Sequence, residues 1–192
     1  MVEWSEKFET KITFVDQQHK EIFTLLDELS HCCKTHVANE ETVRHALSRL
    51  NDYSHKHFIA EEALMQKMQL DERHIRAHRM EHSSFVYDVE RLSVYAETPD
   101  NLLEITEKLV DFVTHWWCYH ILGIDRSMSI QLIAVKKGKT ALEAYELALR
   151  YKHDQDITHL MLDSVIELWR SATERCHALE KELTRFKLQA GE

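Results

Sequence analysis

Residues 57–82 read HFIAEEALMQKMQLDERHIRAHRMEH. Two apolar-striped segments meet here at a short polar turn, and ionisable side chains interrupt both stripes. His57 and Glu61 are four residues apart, and so are His78 and His82. At that spacing each pair leaves adjacent turns of one helix in the same direction. Burying an imidazole or a carboxylate in an apolar core is costly unless it is paired or binds a metal. The stretch therefore predicts two core-facing helices that carry polar groups for a reason.

The pattern continues on both sides. A helix over about 17–35 aligns His19, Ile22, Phe23, Leu26, Leu29 and Cys33, with Asp16 as its expected cap. A second, over about 40–69, aligns Val43, Leu47, Leu50, Ser54, His57, Glu61, Leu64 and Met68. A third, over about 72–97, aligns His78, His82, Phe85, Val89, Leu92 and Ala96. Thr98-Pro99-Asp100 breaks the chain. A fourth, from about 101, aligns Leu102, Ile105, Leu109, Val113, Trp116, His120 and Ile124. Short connections between amphipathic helices predict an all-α, up-down-up-down four-helix bundle. Residues 1–16 precede it as an arm carrying Trp4, Phe8, Ile12, Phe14 and Val15.

Composition agrees. The 192 residues include only 3 Gly and 1 Pro, with 30% charged side chains, which suits long helices and not a turn-rich sheet fold. The formal net charge of -9 argues against nucleic acid as a partner. No apolar run approaches the roughly 20 residues that cross a bilayer, and the start lacks an apolar signal core. The expected location is the cytoplasm, with no membrane partner. Cys32, Cys33, Cys118 and Cys176 form no CxxC pair and read as buried, reduced thiols.

Fourteen histidines are the unusual count. His19, His57, Glu61, His78, His82 and His120 all fall on inward stripes. They would compete with one another for the few acceptors available, whereas a metal cluster satisfies all of them. Asp125 lies five residues after His120, which overshoots one helical turn by about 140°. It converges only if the helix widens, so a π-type irregularity is expected there. The other nine histidines, His31, His36, His45, His55, His74, His115, His153, His159 and His177, are assigned no metal role; surface exposure is the default for most, and His74 and His115 are the candidates for a place beside the ligands.

This ordered set resembles the hemerythrin family, in particular bacterial hemerythrin-like domains, over about residues 3–126. The likeness rests on Trp4-Ser5-Glu6, Asp16-Gln17-Gln18-His19-Lys20, His57-Phe58-Ile59-Ala60-Glu61-Glu62 with Met65, His78 to His82 with Phe85, and Trp116 with His120-Ile121 and Asp125. The resemblance implies two non-haem iron ions (Fe2+/Fe3+) joined by an oxo or hydroxo bridge. His78, His82 and His120 would hold one, His19 and His57 the other, and Glu61 and Asp125 would bridge them. It implies reversible O2 binding at an open position, with NO or peroxide as further ligands; with no output catalytic domain read in these residues, the chain is expected not to be an enzyme. Trp4, Phe58 and Trp116 would supply apolar walls. Lys11 and Leu70-Asp71 depart from the family pattern, the first where a small residue is common.

Residues 131–192 are expected to form a helical extension to the bundle of residues 1–130. Lys136-Lys137-Gly138-Lys139 is a polar break, and Thr140 with Glu143 predicts a capping box. From about residue 157 a long helix aligns Val165, Leu168, Ala172, Cys176, Leu179, Leu183, Phe186 and Ala190. A parallel coiled coil with a second copy would cover that seam; folding back on the bundle is the alternative. The segment from Lys136 to Glu146 also resembles the connector after hemerythrin-like domains in signalling proteins that end in a diguanylate cyclase output domain. The expected function is oxygen binding coupled to redox sensing. The alternatives are an oxygen carrier or store without signalling, or a di-iron oxidase. Under the sensor and carrier readings alike, removal of residues 139–192 is expected to leave oxygen binding intact.

Overall fold

A computed structural model describes residues 2–34, 40–95 and 102–190. The expected break at Thr98-Pro99-Asp100 lies outside the described residues, as do the side chains of Cys32 and Cys33. After a 3-10 turn at Glu6–Phe8 come α1 (Thr13–Lys34), α2 (Glu40–Lys67), α3 (Glu72–Tyr95) and α4 (Leu102–His120). A π-type segment, Ile121–Asp125, then leads into α5 (Arg126–Lys136), followed by α6 (Ala141–Leu149) and α7 (Gln155–Ala190). The described residues contain no strand. α1 packs on α2 and α4, and α3 packs on α2 and α4, which closes the ring of a four-helix bundle.

The helix ends follow from local chemistry. α1 starts earlier than expected, at Thr13, so Asp16 is inside the helix and does not cap it from outside. Its carboxylate reaches back and accepts from the Thr10 N–H and hydroxyl, both at 2.7 Å, and from the Lys11 N–H at 3.1 Å. Lys11 has φ +65°, which explains why a small residue suits that position. α2 ends with Gln69 at φ +52° and the Leu70 N–H bonded to the Met65 carbonyl at 3.1 Å. Leu70 and Met65 are both buried, so an apolar contact locks this helix end. Asp71 then caps α3, accepting from the Arg73 N–H at 3.0 Å.

The core has two parts. The larger lies within the bundle and holds Ile22, Leu26, Leu29, Phe58, Phe85, Val113, Trp116, Trp117 and Ile121. Each such side chain contributes roughly 1.5–3 kcal/mol on burial. The smaller closes one end, where Met128 and Leu132 of α5 meet Ile12, Val15, Met65, Leu70 and Ile75. α5 ends in the expected polar break. Gly138 has φ +85°, the Gly138 N–H bonds Val135 at 2.9 Å and the Lys139 N–H bonds Ala134 at 3.1 Å. A left-handed residue is needed there, and glycine adopts it without strain. The Thr140–Glu143 capping box forms as expected.

α7 takes, in its first half, the fold-back arrangement that its sequence left as the alternative. Its first half folds back on α4: Ile157 and Ser164 are buried, and Leu160, Met161 and Leu168 pack on the main core. Arg175 marks the end of this contact, with its guanidinium over the Phe112 ring and 3.6 Å from Asp88. Beyond it, residues 176–188 are exposed. Cys176 is therefore exposed, against the expectation of a buried thiol, whereas Cys118 on α4 is buried as expected.

Candidate metal centre

All four bundle helices contribute to one buried polar cluster. α1 supplies His19, α2 supplies His57 and Glu61, α3 supplies His78 and His82, and α4 with its π-type continuation supplies His120 and Asp125. The expected π-type irregularity is present. It adds one residue to the turn, so Asp125 takes the inward place that a regular helix would give to Ile124. Asp125 is fully buried while Ile124, expected on the core stripe, is half-buried.

The side chains converge as two groups of potential ligands. Glu61, His78, His82 and His120 form one, and His19, His57, Glu61 and Asp125 the other, each with donor atoms within 4.8 Å of one another. Glu61 belongs to both. Asp125 also spans them: its Oδ2 lies 3.1 Å from His19 Nε2, and its Oδ1 lies 3.0 Å from His78 Nε2 and 3.1 Å from His120 Nε2. Glu61 Oε2 is 3.3 Å from His57 Nε2 and 3.4 Å from both His78 and His82. These contacts lack hydrogen-bond geometry. The Nε2 atoms of all five histidines and both oxygens of each carboxylate are buried without a hydrogen-bond partner. So many orphaned acceptors facing one another are costly unless a cation sits among them.

Outward-facing groups orient the rings. The Nδ1–H of His57 donates to Gln18 Oε1 at 3.0 Å, that of His82 to Glu62 at 3.1 Å and that of His120 to Glu81 at 2.9 Å. Protonation at Nδ1 leaves the Nε2 lone pair free to point inward, the arrangement metal-bound histidines adopt. Sequence reasoning assigned no role to Gln18, Glu62 or Glu81. The available signal was adjacency, since each precedes or follows a candidate ligand.

Electrostatics favour cation binding. Burial pushes the Glu61 and Asp125 carboxyls toward protonation, with added repulsion from Asp125 at Glu61, yet the surrounding imidazoles hold both well below the usual carboxylate range. Burial lowers His57 to about 3 and keeps it neutral. His78 also pays for burial, but Asp125 and Glu61 outweigh that and raise it to about 10. Two anionic carboxylates and a set of imidazole nitrogens in an apolar enclosure are a donor set for transition-metal cations.

Aromatic rings seal the cluster. Phe58 stacks on His82 with centroids 3.9 Å apart, and Trp116 stacks on His120 at 4.2 Å. Trp4 is half-buried, 6.2 Å from the His19 ring. Trp117 went unrecognised in the sequence because its neighbour Trp116 continues the helical stripe. It is fully buried, 5.3 Å from His57 and 5.8 Å from His120, with its indole N–H unpartnered. His74 is buried edge-on to His78 at 5.4 Å, and burial lowers it to about 3. His115 instead lines the groove between α4 and α7 with Glu167 and Leu168.

The fold and cluster define a class: helical-bundle proteins that enclose metal cations between histidines and carboxylates. Comparison with known sequences narrows it. The family described as "Hemerythrin HHE cation binding domain" matches residues 10–129, and the chain belongs to the hemerythrin family. Its relatives include the bacteriohemerythrin of Clostridium acetobutylicum, 28% identical over 128 residues that make up 66% of this chain and 97% of that protein. The bacteriohemerythrin of Methylococcus capsulatus is 30% identical over 62% of this chain and 87% of its own length. That of Pseudomonas aeruginosa is 27% identical over 64% of this chain and 75% of its own. No solved structure gave a match. Family membership implies a di-iron cofactor, and the two buried groups fit it.

Proposed function

We propose that the protein reversibly binds O2 at a di-iron site and passes the redox state of that site to α7. In this reading His78, His82 and His120 hold one iron, His19 and His57 hold the other, and Glu61 and Asp125 bridge. The observation that carries it is Asp125, whose two oxygens reach histidines of both groups. When bound, the iron pair supplies the electrons for reversible O2 binding. The chain's own groups do the rest. Three imidazoles on one side against two on the other leave the His19–His57 side with room for an exogenous ligand, which NO or peroxide could also occupy. Gln18, Glu62 and Glu81 hold rings in place. Phe58, Trp116 and Trp117 exclude water and so oppose loss of electrons to solvent.

The sensing role is supported by the packing of α7. A Cβ added at Gly123, inside the π-type segment, would lie 3.4 Å from Met161 Cε. The buried Cys118 of α4 lies beside the buried Ser164 of α7. A shift of Asp125 or His120 is therefore transmitted directly to α7 and can bias its packing. The reading takes residues 1–130 as the metal-binding unit and 131–192 as the responding extension, working in the cytoplasm with a second copy and an output partner. No helix among the described residues is long and apolar enough to cross a membrane. A carrier or store shares the site but gives α7 no role.

Iron analysis and O2 titration of the purified chain test the proposal. Two irons per chain and a visible absorbance change that reverses when O2 is withdrawn are expected. Iron near zero, or an absorbance indifferent to O2, would overturn it. Unchanged hydrogen exchange in α7 between the reduced and oxidised protein would remove the sensing part alone.

A further inference from the structure

The exposed side of α7 carries a second apolar line, separate from the one that packs on α4. Leu162, Val165, Trp169, Ala172, Cys176, Leu179, Leu183, Phe186 and Ala190 follow one another in strictly alternating steps of three and four. The bundle leaves this line open. Leu162 is 54% exposed, Trp169 70%, Leu183 56% and Phe186 64%. The α4 contacts, through Ile157, Met161, Ser164 and Leu168, lie on the order of a quarter-turn away around the helix. A seam with a 3.5-residue period is the pattern that packs along another helix with the same repeat.

We propose that this line is the interface with a second copy of the chain, and that the two α7 helices run parallel and in register. The proposal deepens the two-copy reading above and does not depend on the metal assignments. Three observations favour this geometry. First, the repeat is unbroken from the part of α7 lying on the bundle to the part beyond it, so only a partner running alongside covers all of it.

Second, the flanking positions are sorted. Ile166 flanks the seam in the first half as an apolar residue, 49% exposed, while Glu180, Glu182 and Lys187 flank it in the second half. In parallel register Glu182 of each chain falls beside the partner's Lys187, giving two pairs of opposite charge. The antiparallel arrangement that covers the whole seam instead places Lys187 beside the partner's Ile166 and Arg175 beside its own equivalent. Third, Arg175 is already held by Asp88 and Phe112 within its own chain. It anchors α7 to the bundle just where the seam leaves it, so the two bundles sit side by side at one end of the coil.

In this arrangement Cys176 faces its own equivalent across the seam, and that gives the test. The full chain carrying Cys32→Ser and Cys33→Ser keeps Cys176 as its exposed thiol, since Cys118 is buried. Treatment with diamide, which takes two electrons and two protons from a pair of thiols, is expected to give a covalent dimer on a non-reducing gel. Adding Cys176→Ser should abolish it, and Lys181→Cys in that background, on the outer face of α7, should not restore it. Sedimentation should show a dimer that Leu183→Asp converts to monomer. Leu183 is exposed in the single chain, so this substitution leaves the bundle intact. A dimer that Cys176 does not link, or that Lys181→Cys links as readily, would overturn the parallel in-register geometry alone. A wild-type chain that sediments as a monomer would overturn the two-copy reading as well.

Discussion

Glu81 accepts a hydrogen bond from the Nδ1–H of His120 at 2.9 Å, and through that bond it sets which way the ring's other nitrogen points. Glu62 does the same for His82 and Gln18 for His57. Losing such a partner frees the ring to rotate and weakens its basicity. Glu81→Ala is therefore expected to lower iron affinity by roughly 10–100-fold while the bundle stays folded. Competition against a chelator measures the affinity, and circular dichroism confirms the fold. Cys118 illustrates the opposite kind of residue. Burial pushes its thiol up to about 12, so almost no thiolate exists at neutral pH. Iodoacetamide should leave Cys118 unmodified in the native protein and alkylate it only after unfolding, as read by peptide mass mapping.

At the scale of elements, the π-type segment Ile121–Asp125 does the decisive work on the site. One extra residue in a turn brings a carboxylate inward at a five-residue spacing, where a regular helix would bury Ile124. The spacing of His120 and Asp125 made this widening readable in advance. The start of α1 was not readable in the same way. Asp16 looks like a cap, but its carboxylate serves Thr10 and Lys11 from inside the helix. A sequence pattern does not distinguish an acceptor that caps its own helix from one that reaches back to the preceding loop. The α5–α6 connection depends on Gly138 at φ +85°. Nothing lies within 4 Å of a Cβ added there, so Gly138→Ala meets only backbone strain. A loss of about 1–2 kcal/mol is expected in urea unfolding, with iron content unchanged.

For the whole molecule, the extension is part of the bundle's structure and not a detachable tail. Ile157, Met161, Ser164 and Leu168 cover α4 over Cys118 and the helix run that ends in His120. Removal of residues 139–192 was expected from sequence to leave oxygen binding intact. The packing gives a different expectation. The shortened chain exposes the outer face of α4, should melt at a lower temperature than the full chain, and should lose iron faster to a chelator. A thermal midpoint equal to that of the full chain would show that α7 adds no support. The C. acetobutylicum relative aligns over 97% of its own length but only 66% of this chain, so a third of this chain has no counterpart in it. That third brings an apolar seam that the bundle leaves exposed.

The sequence by itself determined the all-α class, the four core stripes, the capping box at Thr140, the widened turn before Asp125 and the seven polar positions of the cluster. Each is a matter of spacing along one helix, where 3.6 residues per turn converts sequence separation directly into direction. Tertiary structure decided what spacing does not encode. It set which outward side chains accept hydrogen bonds from the Nδ1–H groups, placed Trp117 against His57, and brought Met161 up to the π-type segment. It also divided α7 between a half that lies on α4 and a half with an exposed seam. These features depend on contacts between helices, and such contacts are set by how whole surfaces fit together.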